Sequence, residues 1–182
     1  MKMRNGIFLT IFALVMRMSM GMESGTTIPL PNAQPTALWA RGYSVIPTPR
    51  KVELGEGEIS FDQDWRLEVK GVSSDDIAAD FLKSDLETFH RITLSGSAGR
   101  ILHLEVSSGA VKTGAKPALD EQAYRLTIQS SQVSIIGNAP AGLFYGVQTF
   151  LQLLKPKHGI AFLPECIITD WPELQLLSLI HI

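Results

Sequence analysis

Between Glu121 and Leu154 the polar and apolar positions first alternate one by one and then recur every three to four residues, the pattern of a β-hairpin followed by an amphipathic helix. If Ser130-Ser131 forms the turn, Ile128 lies opposite Val133, Leu126 opposite Ile135 and Tyr124 opposite Gly137, so every apolar pair falls on one face. Ser-Ser is a poor choice for a tight primed turn, and a slightly longer loop in another register stays open as the alternative. After Gly137-Asn138-Ala139-Pro140, a start signal with proline near the first turn, the helix is predicted to run to about Leu154 and to end at Lys155-Pro156. Leu143, Phe144, Val147, Phe150, Leu151 and Leu154 fall within an arc of roughly 120°, so one face is almost wholly apolar and has to be buried. Gly142 and Gly146 sit one turn apart beside this stripe. Glycine inside a helix costs about 1 kcal/mol relative to alanine, which predicts close backbone packing at these positions.

The rest of the pattern is shorter in range. Tyr43 to Ile46 reads as a short extended run closed by Pro47 and Pro49. Gly55 and Gly57 then punctuate the chain, and Glu58 to Phe61 and Arg66 to Val69 read as strands on either side of an Asp62-Gln63-Asp64 turn. Ser73 is predicted to open a helix, with Asp76 as its capping-box partner and Asp75 and Asp76 at the positive end of the dipole. Ile77, Phe81, Leu82, Leu86 and Phe89 would form its broad apolar face, and His90 and Arg91 would close it. Arg100 to Val106 alternates as a strand with Leu102, Leu104 and Val106 on one face. Ser107 to Leu119 reads as a loop, and Ile160 to Leu163 and Cys166 to Thr169 as two further strands before Asp170-Trp171-Pro172 leads out. Together these elements predict an α+β domain, a small mixed sheet with two helices packed on one face.

Composition narrows the class without changing the fold. The 182 residues are 45% hydrophobic and 19% charged, which suits one globular domain. A net charge of −2 with scattered Lys and Arg gives no field to gather nucleic acid or anionic lipid. Residues 1–21 read as an export signal: Lys2 and Arg4, the apolar run Gly6 to Met16, and Ser19-Met20-Gly21 as a small-x-small cleavage site. The run is too short to span a bilayer, so no membrane span is expected after cleavage, with an uncleaved anchor as the alternative that Arg17 keeps open. Residues 22–42, with Pro29, Pro31 and Pro35, read as a linker, and residues 43–170 as the folded domain. Cys166 is the only cysteine and excludes an internal disulfide; it reads as a small buried strand residue, not a nucleophile. The location expected is secreted or periplasmic.

Candidate chemistry is sparse. His90, His103, His158 and His181 are isolated from one another, with no helical metal-binding pair. No glycine-rich phosphate loop follows a strand and no serine stands in a nucleophile elbow, so kinase, dehydrogenase and esterase classes fall away. Asp120-Glu121 is the one tempting pair, because neighbouring carboxylates can divide acid and orienting roles in glycoside hydrolysis. On the edge of a long loop, however, carboxylates stay solvated with ordinary acidity and hold no substrate between them. No catalytic, metal or cofactor-binding residue is therefore assigned, and no cofactor is expected.

The words VIPTPRKVELGEGEISF (Val45 to Phe61), EQAYRLTI (Glu121 to Ile128), VSIIGNAPAGLFYGVQTFLQLL (Val133 to Leu154) and ITDWPEL (Ile168 to Leu174) resemble the N-terminal domain of family 20 glycoside hydrolases, the β-N-acetylhexosaminidases. AGLFYGVQTFLQLL is the most specific part, although domains of other families that process N-acetylglucosamine carry similar words. The resemblance implies a zincin-like, non-catalytic α+β layer that precedes a (β/α)₈ barrel. In the whole enzyme that barrel removes terminal N-acetylglucosamine or N-acetylgalactosamine with retention, the substrate's acetamido oxygen acting as nucleophile beside an Asp-Glu pair. That barrel is the implied partner, and N-acetylhexosamine-containing glycans are reached through it. None of its catalytic residues maps onto this chain. Where the family continues into its first barrel strand with a sugar-contacting arginine, this sequence has Leu177. Residues 171–182 therefore read as a truncated start of the barrel, and LSLIHI at Leu177 to Ile182 resembles translated adapter sequence. The alternative from another class is a free-standing envelope module that binds carbohydrate or a protein. Such a module needs exposed aromatic platforms, and Trp39, Trp65 and Trp171 are spread over linker, turn and exit.

Overall fold

The computed structural model describes residues 36–96, 99–157 and 160–173. The expected export signal, the linker up to residue 35, and residues 174–182 lie outside them. Seven strands form one sheet: β1 (Lys51–Phe61), β2 (Arg66–Lys70), β3 (Ile101–Val106), β4 (Tyr124–Gln129), β5 (Gln132–Gly137), β6 (Lys155–Lys157) and β7 (Ile160–Asp170). The order is β1-β7-β4-β5-β3-β2, with β6 paired to β7. Pairing is antiparallel from β1 through β5, and parallel between β5 and β3 and between β3 and β2. Two longer helices, α2 (Ile77–Asp85) and α4 (Pro140–Leu153), join the sheet's apolar residues in one core, and two one-turn helices, α1 (Ala37–Ala40) and α3 (Pro117–Asp120), flank them. The expected mixed sheet with two helices packed on it is thus the observed architecture.

The hairpin β4-β5 has the register that its alternation predicts: Tyr124 opposite Gly137, Leu126 opposite Ile135, Ile128 opposite Val133, around a two-residue Ser130-Ser131 turn. Tyr124, Leu126, Ile128, Val133 and Ile135 are all at most 2% exposed. Each such Leu, Ile or Val side chain contributes about 1.5–3 kcal/mol on leaving water. Onto them α4 lays Leu143, Val147, Phe150 and Leu153. Leu153 lies outside the expected stripe, whereas Phe144 and Leu151, which belong to it, are only half-buried. The buried arc is therefore turned toward Gly142, Gly146 and Thr149, where the absence of bulky side chains lets the helix backbone approach the sheet.

Two long strands replace three expected short ones, Glu58 to Phe61, Ile160 to Leu163 and Cys166 to Thr169. β1 passes straight through Gly55 and Gly57, and β7 through Pro164. The breakers face one another: the register slips between Leu54, paired with Cys166, and Glu58, paired with Pro164. That slip is a bulge, which lets a strand carry extra residues and tolerate a missing ladder donor. The Arg41 guanidinium holds the bulge by donating to the carbonyls of Gly55, Glu56 and Gly57. Residues 36–42, read as the end of the linker, therefore belong to the folded unit. Thr36 caps α1 by accepting from the Trp39 amide at 3.1 Å, and Leu38 is buried. Tyr43 to Ile46 is not a strand; Tyr43 and Val45 are buried while the segment crosses over the core.

The helix α2 also departs from expectation. Asp76, not Ser73, is the cap, its carboxylate accepting from the Ala78 amide at 2.9 Å. The buried face is Ala78, Ala79, Leu82 and Leu86. From Leu86 to His90 the helix widens to a π turn before Arg91 ends it in the left-handed region. Ile77 and Phe89, expected inside, are 69% and 75% exposed, and Phe81 lies at the surface as well. Trp65, expected in a turn, has no exposed surface.

The outer face of the sheet is mainly polar. On it, Glu105 of β3 accepts from His103 at 3.0 Å and pairs with Lys70 of β2 at 3.1 Å. The His103 hydrogen bond, followed by that from Lys70, holds the Glu105 carboxyl below the usual range. A carboxyl with a lowered folded-state pKa stabilises the fold fully above its unfolded pKa and loses that contribution as pH falls through the folded value. Glu105→Gln should therefore reduce stability at pH 7 more than at pH 3. Urea midpoints at the two pH values check this, and equal losses at both would contradict it.

Candidate functional site

Polar side chains that do not serve the sheet gather in two places. The first is the loop before β4. Asn138, 5% exposed, is expected only as part of the helix start, yet α4 has Ala139 as its N-cap with no side-chain cap bond. The Asn138 amide instead donates to the carbonyls of Val111 and Asp120 at 2.9 and 2.8 Å and accepts from the Val111 amide at 2.8 Å. The Asp120 carboxylate accepts from Thr113 Oγ1 at 2.5 Å and from Asn138 Nδ2 at 3.3 Å. Asp120 is thus half-buried and bonded, which corrects the reading of both carboxylates as solvated; Glu121 is exposed as expected. Neither carboxylate of the pair lines the groove described below. Asn138→Ala would take from the buried Val111 the partner of both its amide and its carbonyl, while the Asp120 carbonyl keeps the Ala123 amide, and a loss of about 2–3 kcal/mol is expected in urea unfolding.

The second place is the exit of the chain beside α4. Tyr124, paired in register with Asp170, shares its hydroxyl with Thr149 Oγ1 at 2.5 Å and lies 3.4 Å from Asp170 Oδ2. Burial raises the Tyr124 phenol well above its ordinary value. Asp170 also accepts from the Arg50 amide at 3.1 Å. The Arg50 side chain then grips the departing residues: its Nε donates to the Trp171 carbonyl at 2.9 Å, its guanidinium lies 5.1 Å from the Trp171 ring centroid, and its Nη2 is 3.9 Å from Glu173 Oε1. Lys51 Nζ stands 5.3 Å from the same ring centroid. On the other side, Gln152 accepts from the Ile46 amide at 2.8 Å and donates to the Ile46 carbonyl at 3.3 Å. Between these supports lies a groove of about 500 Å³, lined among others by Ile46, Pro47, Tyr145, Gln148, Trp171 and Pro172.

Chemically the groove offers aromatic and aliphatic surface with amide edges. Its one carboxylate, Asp170, is committed to Tyr124 and Arg50, so the groove lacks the second carboxyl that glycoside hydrolysis needs. Among the described residues no three His, Cys, Asp or Glu side chains converge as metal ligands would, and every buried side-chain nitrogen or oxygen has a partner. Cys166 is buried in β7, where burial pushes its thiol up to about 12, far from a reactive thiolate. His90 lies 3.9 Å from Asp85 on α2 and His103 is bound to Glu105; His158 and His181 lie outside the described residues. The tryptophans form no stacking row: Trp65 is buried, Trp171 is flanked by two cations, and Trp39 is exposed on α1. The groove residues come from four stretches, near residues 46, 123, 148 and 171, and the sequence shows each only by its own local signal.

The comparisons with known proteins agree with this geometry. The family model for glycosyl hydrolase family 20, domain 2, matches residues 42–171, from the edge of α1 to Trp171 at the exit. A β-hexosaminidase of Porphyromonas gingivalis is 34% identical over 121 residues, covering 64% of this chain and 15% of that protein. Among solved structures, the Streptomyces plicatus N-acetyl-β-hexosaminidase aligns with a TM-score of 0.57 at 27% identity, covering 78% of this chain and 28% of that one. The exo-β-N-acetylglucosaminidase of Vibrio harveyi aligns with a TM-score of 0.56 at 26% identity, covering 71% and 19%. The chain thus spans less than a third of each relative. With a family match across the whole sheet, both longer helices and the gripped exit, the chain belongs to glycosyl hydrolase family 20 through its domain 2.

Proposed function

We propose that this chain is the N-terminal accessory domain of a secreted β-N-acetylhexosaminidase. In this reading the enzyme removes terminal N-acetylglucosamine or N-acetylgalactosamine from glycans by substrate-assisted retention. The acetamido oxygen of the substrate attacks, and the acid and orienting carboxylates stand on a (β/α)₈ barrel that follows the domain. This chain supplies the scaffold beside that barrel and no reacting group. The observation that carries the reading is the family match over residues 42–171. It is supported by the commitments of two carboxylates: Asp120, of the tempting pair, holds a loop, and Asp170, in the groove, holds the exit. The basic, apolar and small-residue order of residues 1–21 supports export to the periplasm or beyond, with the chain starting at Met22 after cleavage.

One experiment addresses both parts. The full chain expressed with its own N-terminus in a bacterial host should be recovered from the periplasm, begin at Met22 by mass, and give no turnover of an aryl N-acetylglucosaminide. Turnover by the purified chain would refute the accessory role, and retention of the whole N-terminus in the cytoplasm would refute export.

A further inference from the structure

At the end of the sheet opposite the exit, a second cavity of about 500 Å³ opens between the β1–β2 corner, the end of α2 and the paired strands β6 and β7. β1 and β7 each run 11 residues from one end of the sheet to the other. At about 3.3 Å per residue, the cavity therefore lies roughly 30 Å from the exit. Its apolar walls include Phe89, Ile160 and Pro156, with Phe89 75% exposed. Its polar walls include Gln63, Asp64 and Arg91. Among the described residues, neither the Gln63 side-chain amide nor the Arg91 guanidinium has a partner, and the Asp64 carboxylate reaches only Arg100, at 3.8 Å.

The backbone is irregular where it forms this wall. Leu86 to His90 leave the 3.6-residue period of α2 for a π turn, and Arg91 follows at φ 56° and ψ 35°, a left-handed position that glycine usually fills. Both departures are enriched at ligand sites, and here they set Phe89 and Arg91 on one cavity wall. The chemistry of the walls selects the occupant. The carboxylates of Asp62 and Asp64 are balanced by the guanidiniums of Arg91 and Arg100, so no charged ligand is favoured. What remains is an aromatic face beside planar amide, carboxylate and guanidinium groups, each able to make two parallel hydrogen bonds. A pyranose ring matches both features, with a C–H face for the aromatic ring and neighbouring hydroxyls for the planar groups. The volume is that of a small-ligand cleft.

We propose that this cavity is a saccharide-binding site, in which Phe89 stacks against a pyranose ring and Gln63, Asp64 and Arg91 bind its hydroxyls. The site holds sugar and supplies no reacting group. Its use to an enzyme rests on the accessory-domain reading above: a glycan held here at one sugar keeps its other sugars near the barrel at a raised effective concentration.

The test titrates the isotope-labelled full chain with the tetramer of N-acetylglucosamine and, in parallel, with the tetramer of glucose, read by amide NMR shifts and calorimetry. Saturable shifts are expected at Gln63, Phe89, Arg91 and Ile160, with none at Tyr145 or Trp171. Phe89→Ala should weaken binding about tenfold, and Phe89→Trp should retain it. Arg91→Gly keeps the left-handed backbone without the guanidinium and should weaken binding about fivefold. Phe89 and Arg91 are both exposed, so these variants should keep the circular dichroism of the parent. No saturable shift with either tetramer would overturn the site and leave the accessory role standing. Shifts at Tyr145 and Trp171, with binding unchanged in Phe89→Ala, would also overturn it. Binding of the glucose tetramer alone would keep the site and count against a hexosaminidase.

Discussion

Trp65→Ala is expected to cost about 3–5 kcal/mol in urea unfolding, the range for deleting a large aromatic from a closed core. Trp65 has no exposed surface and sits where β1 ends and β2 begins. Its ring lies 5.2 Å from that of Phe61, which in turn meets Phe150 of α4 edge-on at 5.2 Å, so the three rings tie the edge strand to the central helix. The indole nitrogen donates to the Ser60 carbonyl at 3.2 Å, and the Arg100 guanidinium stands 5.3 Å from the ring centroid while forming a two-oxygen pair with Asp62 at 2.9 Å. Alanine would remove the ring and its bond to Ser60, whose carbonyl keeps Arg100, and leave a cavity that Phe61 cannot fill without parting from Phe150. Trp65→Phe keeps an aromatic ring and loses the Ser60 bond, so a cost of about 1–2 kcal/mol is expected. A loss below about 2 kcal/mol for the alanine variant would show that the corner collapses around the gap and is not a packing centre.

The reason the sequence places Trp65 in a turn is physical. Asp62-Gln63-Asp64 does turn the chain, and the residue after a turn carries no periodicity of its own; the neighbours that meet its ring, Phe61 and Arg100, come from outside the turn. The hairpin is legible in register because each of its strands encodes its facing partner through a period of two, and the turn between them is only two residues long. β1 and β7 read as broken for the opposite reason. Gly55, Gly57 and Pro164 are breakers locally, but they meet across about 100 residues in one bulge, and Arg41, placed in the expected linker, satisfies the freed carbonyls. A π turn rotates the end of α2, which no 3.6-residue period anticipates. The groove draws on residues near 46, 123, 148 and 171, so its parts have no shared local pattern, and its meaning comes from the family words at the exit and on α4.

The substitution that tests the hairpin and helix as one unit is Gly142→Ala. In an isolated helix it would be favourable by about 1 kcal/mol, since alanine loses less backbone freedom than glycine. Here an added Cβ would stand 2.3 Å from the Ala123 carbonyl oxygen and 3.1 Å from its carbon. That carbonyl cannot turn aside freely, because it accepts the Asn138 amide at 3.0 Å, and Asn138 in turn pins the loop through Val111 and Asp120. The methyl must either lift α4 from the strands or break this junction. Overpacking of about 1–3 kcal/mol and a lost buried hydrogen bond of about 1 kcal/mol outweigh the helix gain, for a net loss of about 2 kcal/mol. At Gly146 the nearest obstacles are side-chain atoms, Ile135 Cγ2 at 2.5 Å and the Tyr124 ring at 3.1 Å, with no hydrogen-bonded backbone group to break, so Gly146→Ala should cost less than Gly142→Ala. Gly99→Ala meets nothing within 4 Å and serves as the control. Urea midpoints of the three variants give the ranking; if Gly142→Ala proved stabilising, the helix would be sliding freely over the hairpin, and the close backbone seat inferred from its two glycines would be wrong.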